Sequence, residues 1–283
     1  MIASPTLKRR TSENLPSVEA DIYYLVPMAD KPIIYTYEPP PGVPQYNGTY
    51  IAHRLPIYNA RSLTPNLSLD REGFTFAAHS TKVQDFYNED EVCQVYYAEA
   101  EQLLKAVTGA IKVIVFDHNL RNADRAKQGD RNIKEPVQRA HNDFTAKSGY
   151  GRAQIVLSQN PEAEELLQHR FGIVNVWRPI STVQKSPIAV CDAQSIALTD
   201  WVASDLLYRD RVGETYGITH NQNHQWFYFP QQQRDEALLI KCFDSSEDGQ
   251  ARFAAHSAFD DSTSSPDAPA RESIELRTLV FYE

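Results

Sequence analysis

Cysteine is scarce in this 283-residue chain. Cys93, Cys191 and Cys242 are widely separated, odd in number and form no Cys-x-x-Cys pair. A disulfide framework or a thiolate zinc site is therefore not expected, and a reducing cytoplasm fits best. No apolar run approaches the ~18 residues that a membrane-spanning helix needs. The opening MIASPTLKRRTSENLPS has a basic cluster but no apolar stretch behind it, so it does not read as a secretory leader. Positive charge is in deficit: 28 Lys and Arg face 37 Asp and Glu, a net charge of -9. That balance argues against nucleic acid or an anionic membrane as the main partner. A Gly-x-Ser-x-Gly elbow and a Gly-rich phosphate loop are both missing, which leaves serine-hydrolase and nucleotide chemistry without a motif.

What remains is a chain that can fold around a large core and is written mostly in strands. Hydrophobic residues make up 42% and charged residues 23%, a composition of globular rather than disordered proteins. Residues 1–17 are polar and read as a flexible N-terminal segment. Residues 18–283 have no internal repeat and no linker, and read as one domain. Asp21 to Glu38 is rich in Val, Ile and Tyr, which favour a pleated surface, and residues 50–62 read as a further strand pair.

Two helices stand out. The first covers 89–108, with Asn88 as N-cap, Glu91 three residues on, an apolar stripe from Val92 to Val107, and Gly109 just past the end. The second runs from Pro161 to about Phe171, capped by Asn160. Residues 119–135 are polar and charged, and read as a solvated loop or a flap over a site. From Ile173 onward the text is a succession of short strand-like runs separated by turn residues. Many short strands with few helices point to a mostly β sandwich or barrel.

The chemistry is carried by a few polar residues. On a strand, residues two apart share a face, so His141 and Asp143 would point the same way and Asn142 the other. With eight histidines and 37 acids in the chain, such a triplet is roughly what chance provides. Its value depends on a third ligand. Two histidines are candidates: His224, which opens the aromatic run HQWFYF, and His256, in RFAAHSAF. Only His256 is followed by a strand opening with a cosubstrate anchor, Arg271 and Ser273. An arginine fork matches a carboxylate bidentately, and a serine two residues on can add one hydrogen bond. His224 is the fallback for the third ligand, Arg277 the fallback anchor, and Arg178 a weaker candidate for a cosubstrate or substrate contact. Tyr216, Trp226, Phe227, Tyr228 and Phe229 read mainly as core, with some available to line an apolar or aromatic pocket.

Taken together, His141-x-Asp143, His256 and Arg271-x-Ser273 resemble the iron(II)/2-oxoglutarate-dependent oxygenases. The stretches RAHNDFTAKSG, VNVWRPI, HQWFYFP, EALLIKCFDS, RFAAHSAF and ARESIELRTLVF are similar to one branch. It includes fungal gibberellin-desaturase-like and asparasone-type hydroxylases/desaturases and the small chain of bacterial 7α-cephem methoxylase. The resemblance implies a double-stranded β-helix (jelly-roll) core with flanking helices. It implies Fe(II) on His141, Asp143 and His256, and 2-oxoglutarate on Arg271 and Ser273. It further implies O2 as co-substrate, and hydroxylation, desaturation or cyclisation of a small molecule of secondary metabolism. The residues alone leave two rivals open. One is a cupin-like metal enzyme that needs no 2-oxoglutarate, and the other is a non-catalytic β-sandwich that binds a small molecule.

Overall fold

The computed structural model describes residues 15–130 and 132–283. Most of the segment 1–17 lies outside the described residues, and Ser17 already begins the first strand.

Fifteen strands among the described residues form two sheets. The larger sheet has, in spatial order, β1 (Ser17–Leu25), β3 (Tyr50–Asn59), β12 (Trp226–Tyr228), β9 (Ile188–Cys191), β14 (His256–Ala258), β7 (His141–Asn142), β11 (Val212–Ile218), β10 (Trp201–Leu207) and β2 (Ile33–Tyr35). The smaller sheet is β4 (Phe74–Ala78), β13 (Glu236–Asp244), β8 (Phe171–Pro179), β15 (Ser273–Phe281), β5 (Lys112–Arg121) and β6 (Ile133–Lys134). Their facing surfaces share one core, in which Ile173, Trp177, Leu238, Ile240 and Leu279 of the smaller sheet join Ile188, Val190 and Phe227 of the larger. Together with the short helices around them, the sheets curl into the jelly-roll architecture.

The period of two explains which residues reach that interior. On β15 the odd positions Ser273, Glu275, Arg277, Leu279 and Phe281 share one face, and on β8 so do Ile173, Asn175 and Trp177. The even positions Val174, Val176, Ile274, Leu276 and Val280 pack instead against a helix on the outer face. That helix begins as α1 (Glu89–Glu91), passes through a π turn at Val92–Tyr96 and continues as α2 (Tyr97–Thr108). Asn88 caps it by accepting from the backbone N–H of Asp90 and Glu91, and Gly109 ends it in the left-handed region at φ 73°. The capping box is only half made, because Glu91 instead accepts from the backbone of Gln84 and Asp85. Val92, Tyr96, Ala100, Leu103 and Leu104 bury the stripe, each worth about 1.5–3 kcal/mol for the larger side chains. Val107 stays exposed.

Several expected elements differ. Residues 50–62 form one strand and a 3₁₀ turn (Arg61–Asn66), because β3 is held by β1 on one side and β12 on the other. The polar stretch 119–135 is partly regular: β5 runs to Arg121, Asn122 caps α3 (Ala123–Lys127), and β6 follows. β7 ends at Asn142, although Phe144 and Thr145 have good β propensity. Thr145 and Ser148 form a reciprocal capping box that starts α4 (Ala146–Val156), so side chain–backbone bonding overrides local β propensity. The later helix is shorter than expected: α5 spans Ala163–Gln168, Asn160 accepts from Glu162 N–H ahead of it, and Phe171 opens β8. β13 and β14 are consecutive in the chain but belong to different sheets.

α4 sits close to β13 because Gly149 leaves room. A Cβ there would lie 2.4 Å from Cγ of the buried Phe243 ring. Replacing Gly149 by Ala should cost about 1–3 kcal/mol through overpacking, read as a lowered denaturant midpoint with an unchanged m-value. An unaltered midpoint would mean that the helix shifts freely.

Candidate active site

β7 and β14 are adjacent antiparallel strands, and their register sets His256 directly opposite His141. The two rings lie 4.5 Å apart. Asp143 follows at a bend just past β7, with its Oδ1 3.6 Å from His141 Nε2. One ligand atom from each of His141, Asp143 and His256 lies within 4.8 Å of the others. Asn142 points away, as its parity requires, and its amide donates to the carbonyls of Phe144 and Cys242.

The hydrogen bonds around the cluster leave the right atoms free. His141 Nδ1 donates to the Arg139 carbonyl at 2.7 Å, and His256 Nδ1 faces the Ala254 carbonyl at 3.4 Å. Each ring is thus turned so that Nε2 carries the lone pair, the arrangement found where a backbone carbonyl orients a metal-binding imidazole. Burial, reinforced by His141, pushes His256 down to about 4, so it is neutral at physiological pH. Burial alone would raise the Asp143 carboxyl. The facing His141 and the neighbouring His256 and Arg277 outweigh it and hold Asp143 well below the usual carboxylate range. Its Oδ2 accepts a 2.9 Å hydrogen bond from Asn175 Nδ2, and the same amide donates to Glu275 Oε1 at 3.1 Å. Glu275, buried beside Asp143, is pushed up.

The anchor pair lies at the start of β15, where Ser273 is the first residue and Arg271 comes two residues before it. Arg271 is 4% exposed and has no carboxylate partner among the described residues: Nη1 donates to the Ser186 carbonyl and the guanidinium lies over Trp177. Arg271 Nε, Ser273 Oγ and Asn175 Oδ1 are buried without a hydrogen-bond partner among the described residues. Native interiors leave few such groups unsatisfied. Burial, with Arg121 adding repulsion, pushes Arg271 down to about 9; the guanidinium still carries its charge at neutral pH. This is an interior prepared for an acceptor-rich, anionic guest, and the donor set fits a dicarboxylate next to a divalent ion.

The other candidates fall elsewhere. His224 has both ring nitrogens engaged, Nε2 at 3.1 Å from Asp200 and Nδ1 at 3.1 Å from the Tyr24 hydroxyl, and stacks on Tyr24. Arg277 is on the same face as Ser273, but its guanidinium is held by Asp117 at 2.6 Å. Arg178 is fully buried on the opposite face, donating to the Tyr96 hydroxyl and to the carbonyls of His79 and Arg234. That makes it a packing residue far from the cosubstrate role considered for it. Among the described residues one further metal-like group exists, Glu89, Cys93 and His118, at the surface where His118 already pairs with Glu89 at 3.2 Å.

A cavity of 550 Å³ opens over His141 and Asp143, within the range of small-molecule sites. Tyr50, Phe144, Tyr208 and Tyr216 contribute to its wall, whereas Trp226, Phe227, Tyr228 and Phe229 are buried in the core. Arg271 borders a second recess of 930 Å³, which shares Tyr50, Val137 and Arg139 with the first. Asn175 and Glu275 were not singled out from the sequence. The available signal was a lone asparagine in the apolar run FGIVNVW and an acid sharing parity with Ser273.

The chain is similar to several known proteins. Residues 22–281 match the family model described as an oxidoreductase/YMDC permease-like domain. The hydroxylase/desaturase efuI of Hormonema carpetanum is 33% identical over 80% of this chain and 83% of its own length. The Fe(II)/2-oxoglutarate-dependent dioxygenase nvfI of Aspergillus novofumigatus is 30% identical over 93% of this chain and 96% of its own. A solved structure of the iron and alpha-ketoglutarate-dependent endoperoxidase NvfI superposes with a TM-score of 0.84 at 28% identity, covering 94% of this chain and 98% of that one. No helix among the described residues is long and apolar enough to cross a membrane. The chain belongs to this oxidoreductase family, and within it to the Fe(II)/2-oxoglutarate-dependent dioxygenases of the fungal hydroxylase/desaturase branch.

Proposed function

We propose that His141, Asp143 and His256 are the three protein ligands of the iron, and that Arg271 and Ser273 receive the distal carboxylate of 2-oxoglutarate. The enzyme then oxidises a C–H bond of a small secondary metabolite. The observation that carries this reading is the set of buried polar atoms without partners, Arg271 Nε, Ser273 Oγ and Asn175 Oδ1, on the same interior as the His-Asp-His cluster. A cupin-like enzyme without 2-oxoglutarate would leave that costly set without a task. Arg271 is preferred over Arg277 because Arg277 already has a carboxylate in Asp117.

Bound iron and 2-oxoglutarate together supply the O2 activation that the family uses. The chain's own residues orient and exclude. Backbone carbonyls of Arg139 and Ala254 fix the two imidazoles. Asn175 holds one oxygen of Asp143, which directs the other toward the histidines. The aromatic part of the cavity wall supports a substrate with flat or apolar bulk. The reading takes residues 18–283 as one oxygenase domain in the cytoplasm, supported by the shared core and by three cysteines that are all free thiols.

The third ligand is the point to test. Anaerobic addition of 2-oxoglutarate to the Fe(II)-loaded protein is expected to give a visible charge-transfer band. His256→Ala should abolish it and His224→Ala should leave it in place. The opposite pattern would reassign the ligand.

A further inference from the structure

The protein as a whole is acidic, with a net charge of -9, yet the wall of the cavity over His141 and Asp143 is not. Lys147 and Arg152 reach it from α4, Arg211 from the turn between β10 and β11, and Arg277 from β15. The acids that share this wall are already engaged. Asp205 and Glu214 are both bound by Lys31, at 2.5 and 2.6 Å. Asp143 belongs to the metal cluster and Glu275 is bonded to Asn175. Arg277 in turn is held by Asp117 at 2.6 Å.

Of these cations, Lys147, Arg152 and Arg211 are left without a carboxylate partner among the described residues, and the two arginines carry planar forks. Among the described residues Arg152 has no carboxylate or hydrogen-bond partner; its guanidinium lies 5.6 Å from the centre of the Phe116 ring. Arg211 likewise has only the Tyr208 ring, at 3.9 Å. The charges acting on Arg152 are mainly repulsive: burial lowers its proton affinity, and Arg211 and Arg277 lower it further, against a smaller opposing effect of Asp117. Like charges gathered on the wall of one recess are costly unless an anion enters it. The backbone supports a rigid placement, since α4 is capped by Thr145 and Ser148 and pressed onto Phe243 at Gly149. Two planar forks from separate elements, facing a cavity beside aromatic surface, match an oxyanion attached to an apolar body.

We propose that Arg152 and Arg211 form an anion-binding subsite for the substrate, which is therefore an organic acid, carrying a carboxylate or comparable oxyanion on a flat or apolar skeleton. The subsite rests on the reading above, in that the cavity it lines is the one over the iron ligands. It is separate from the Arg271 anchor, which borders the other recess.

The test uses two matched probes on the anaerobic Fe(II)- and 2-oxoglutarate-loaded protein. 8-Anilinonaphthalene-1-sulfonate carries an oxyanion; N-phenyl-1-naphthylamine is the same skeleton without it. The double variant Arg152→Gln/Arg211→Gln is expected to weaken the sulfonate probe tenfold or more while leaving the neutral probe and the 2-oxoglutarate band unchanged. The charge-retaining Arg152→Lys/Arg211→Lys pair should keep most of the preference, which separates loss of charge from loss of fold. Equal effects on both probes, or none on the sulfonate, would overturn the subsite. Loss of the 2-oxoglutarate band in the double Gln variant, with Arg271→Met retaining it, would overturn both the subsite and the Arg271 assignment.

Discussion

Asp143→Ala is expected to lower Fe(II) affinity by more than ~100-fold and to reduce 2-oxoglutarate turnover to background. Asp143 contributes the one anionic ligand in the cluster, and removing it leaves two neutral imidazoles facing a divalent ion. Changes to groups that merely orient a ligand cost about 10–100-fold, so loss of the ligand itself should exceed that range. Asn175→Ala supplies the comparison: it keeps the carboxylate but frees Oδ2 from its 2.9 Å hydrogen bond, and should fall within the smaller range. Glu275 adds a second check. It lies across Asn175 from Asp143 and is pushed up largely by burial and that neighbour. With Asp143 gone, Glu275 ionises more easily and can serve as a poor substitute. Residual iron in Asp143→Ala that disappears in Asp143→Ala/Glu275→Gln would identify it as such. Equilibrium dialysis against Fe(II) under anaerobic conditions reads all three, and iron retained in full by Asp143→Ala would remove it from the ligand set.

The parts of this site legible in the sequence are those governed by strand parity. His141 with Asp143, and Arg271 with Ser273 and Arg277, could be grouped because successive side chains alternate faces. The opposition of His141 and His256 could not be derived that way. It follows from β14 and β7 being neighbours in a nine-stranded sheet, a pairing between distant segments that no local pattern encodes. The two-residue length of β7 was also hidden, because Phe144 and Thr145 have good β propensity while the capping exchange between Thr145 and Ser148 decides the outcome. That local β propensity hides the start of α4, and with it the placement of Arg152. β4 and β10 went unnoticed for a different reason. Trp201–Leu207 includes Ser204 and Asp205, and Phe74–Ala78 ends in two alanines, so neither carries the bulky apolar runs that marked β8 and β13.

Arg271→Met is expected to abolish the stabilisation of the Fe(II)-loaded protein by 2-oxoglutarate. A ligand that binds only the folded state at a hundredfold excess over its Kd stabilises by about 2.7 kcal/mol, a shift easily read in a thermal melt. In the wild-type protein the cosubstrate would supply the acceptor atoms that Arg271 Nε and Ser273 Oγ lack. Methionine fills a similar volume over Trp177 without the fork, so the variant without cosubstrate should be at least as stable as wild type, because it no longer buries an unpaired cation. Ser273→Ala removes a single hydrogen bond to a charged group, worth about 1.5–3 kcal/mol, and should shift the 2-oxoglutarate midpoint by roughly 10- to 100-fold while retaining saturation. Arg277→Met forms the counter-experiment. It strands Asp117, paired at 2.6 Å, and should lower the melting temperature of the cosubstrate-free protein while leaving a 2-oxoglutarate-dependent increase. If Arg277→Met loses that increase and Arg271→Met keeps it, the anchor lies six residues further along the chain, on β15 at Arg277, and the buried Arg271 has another task.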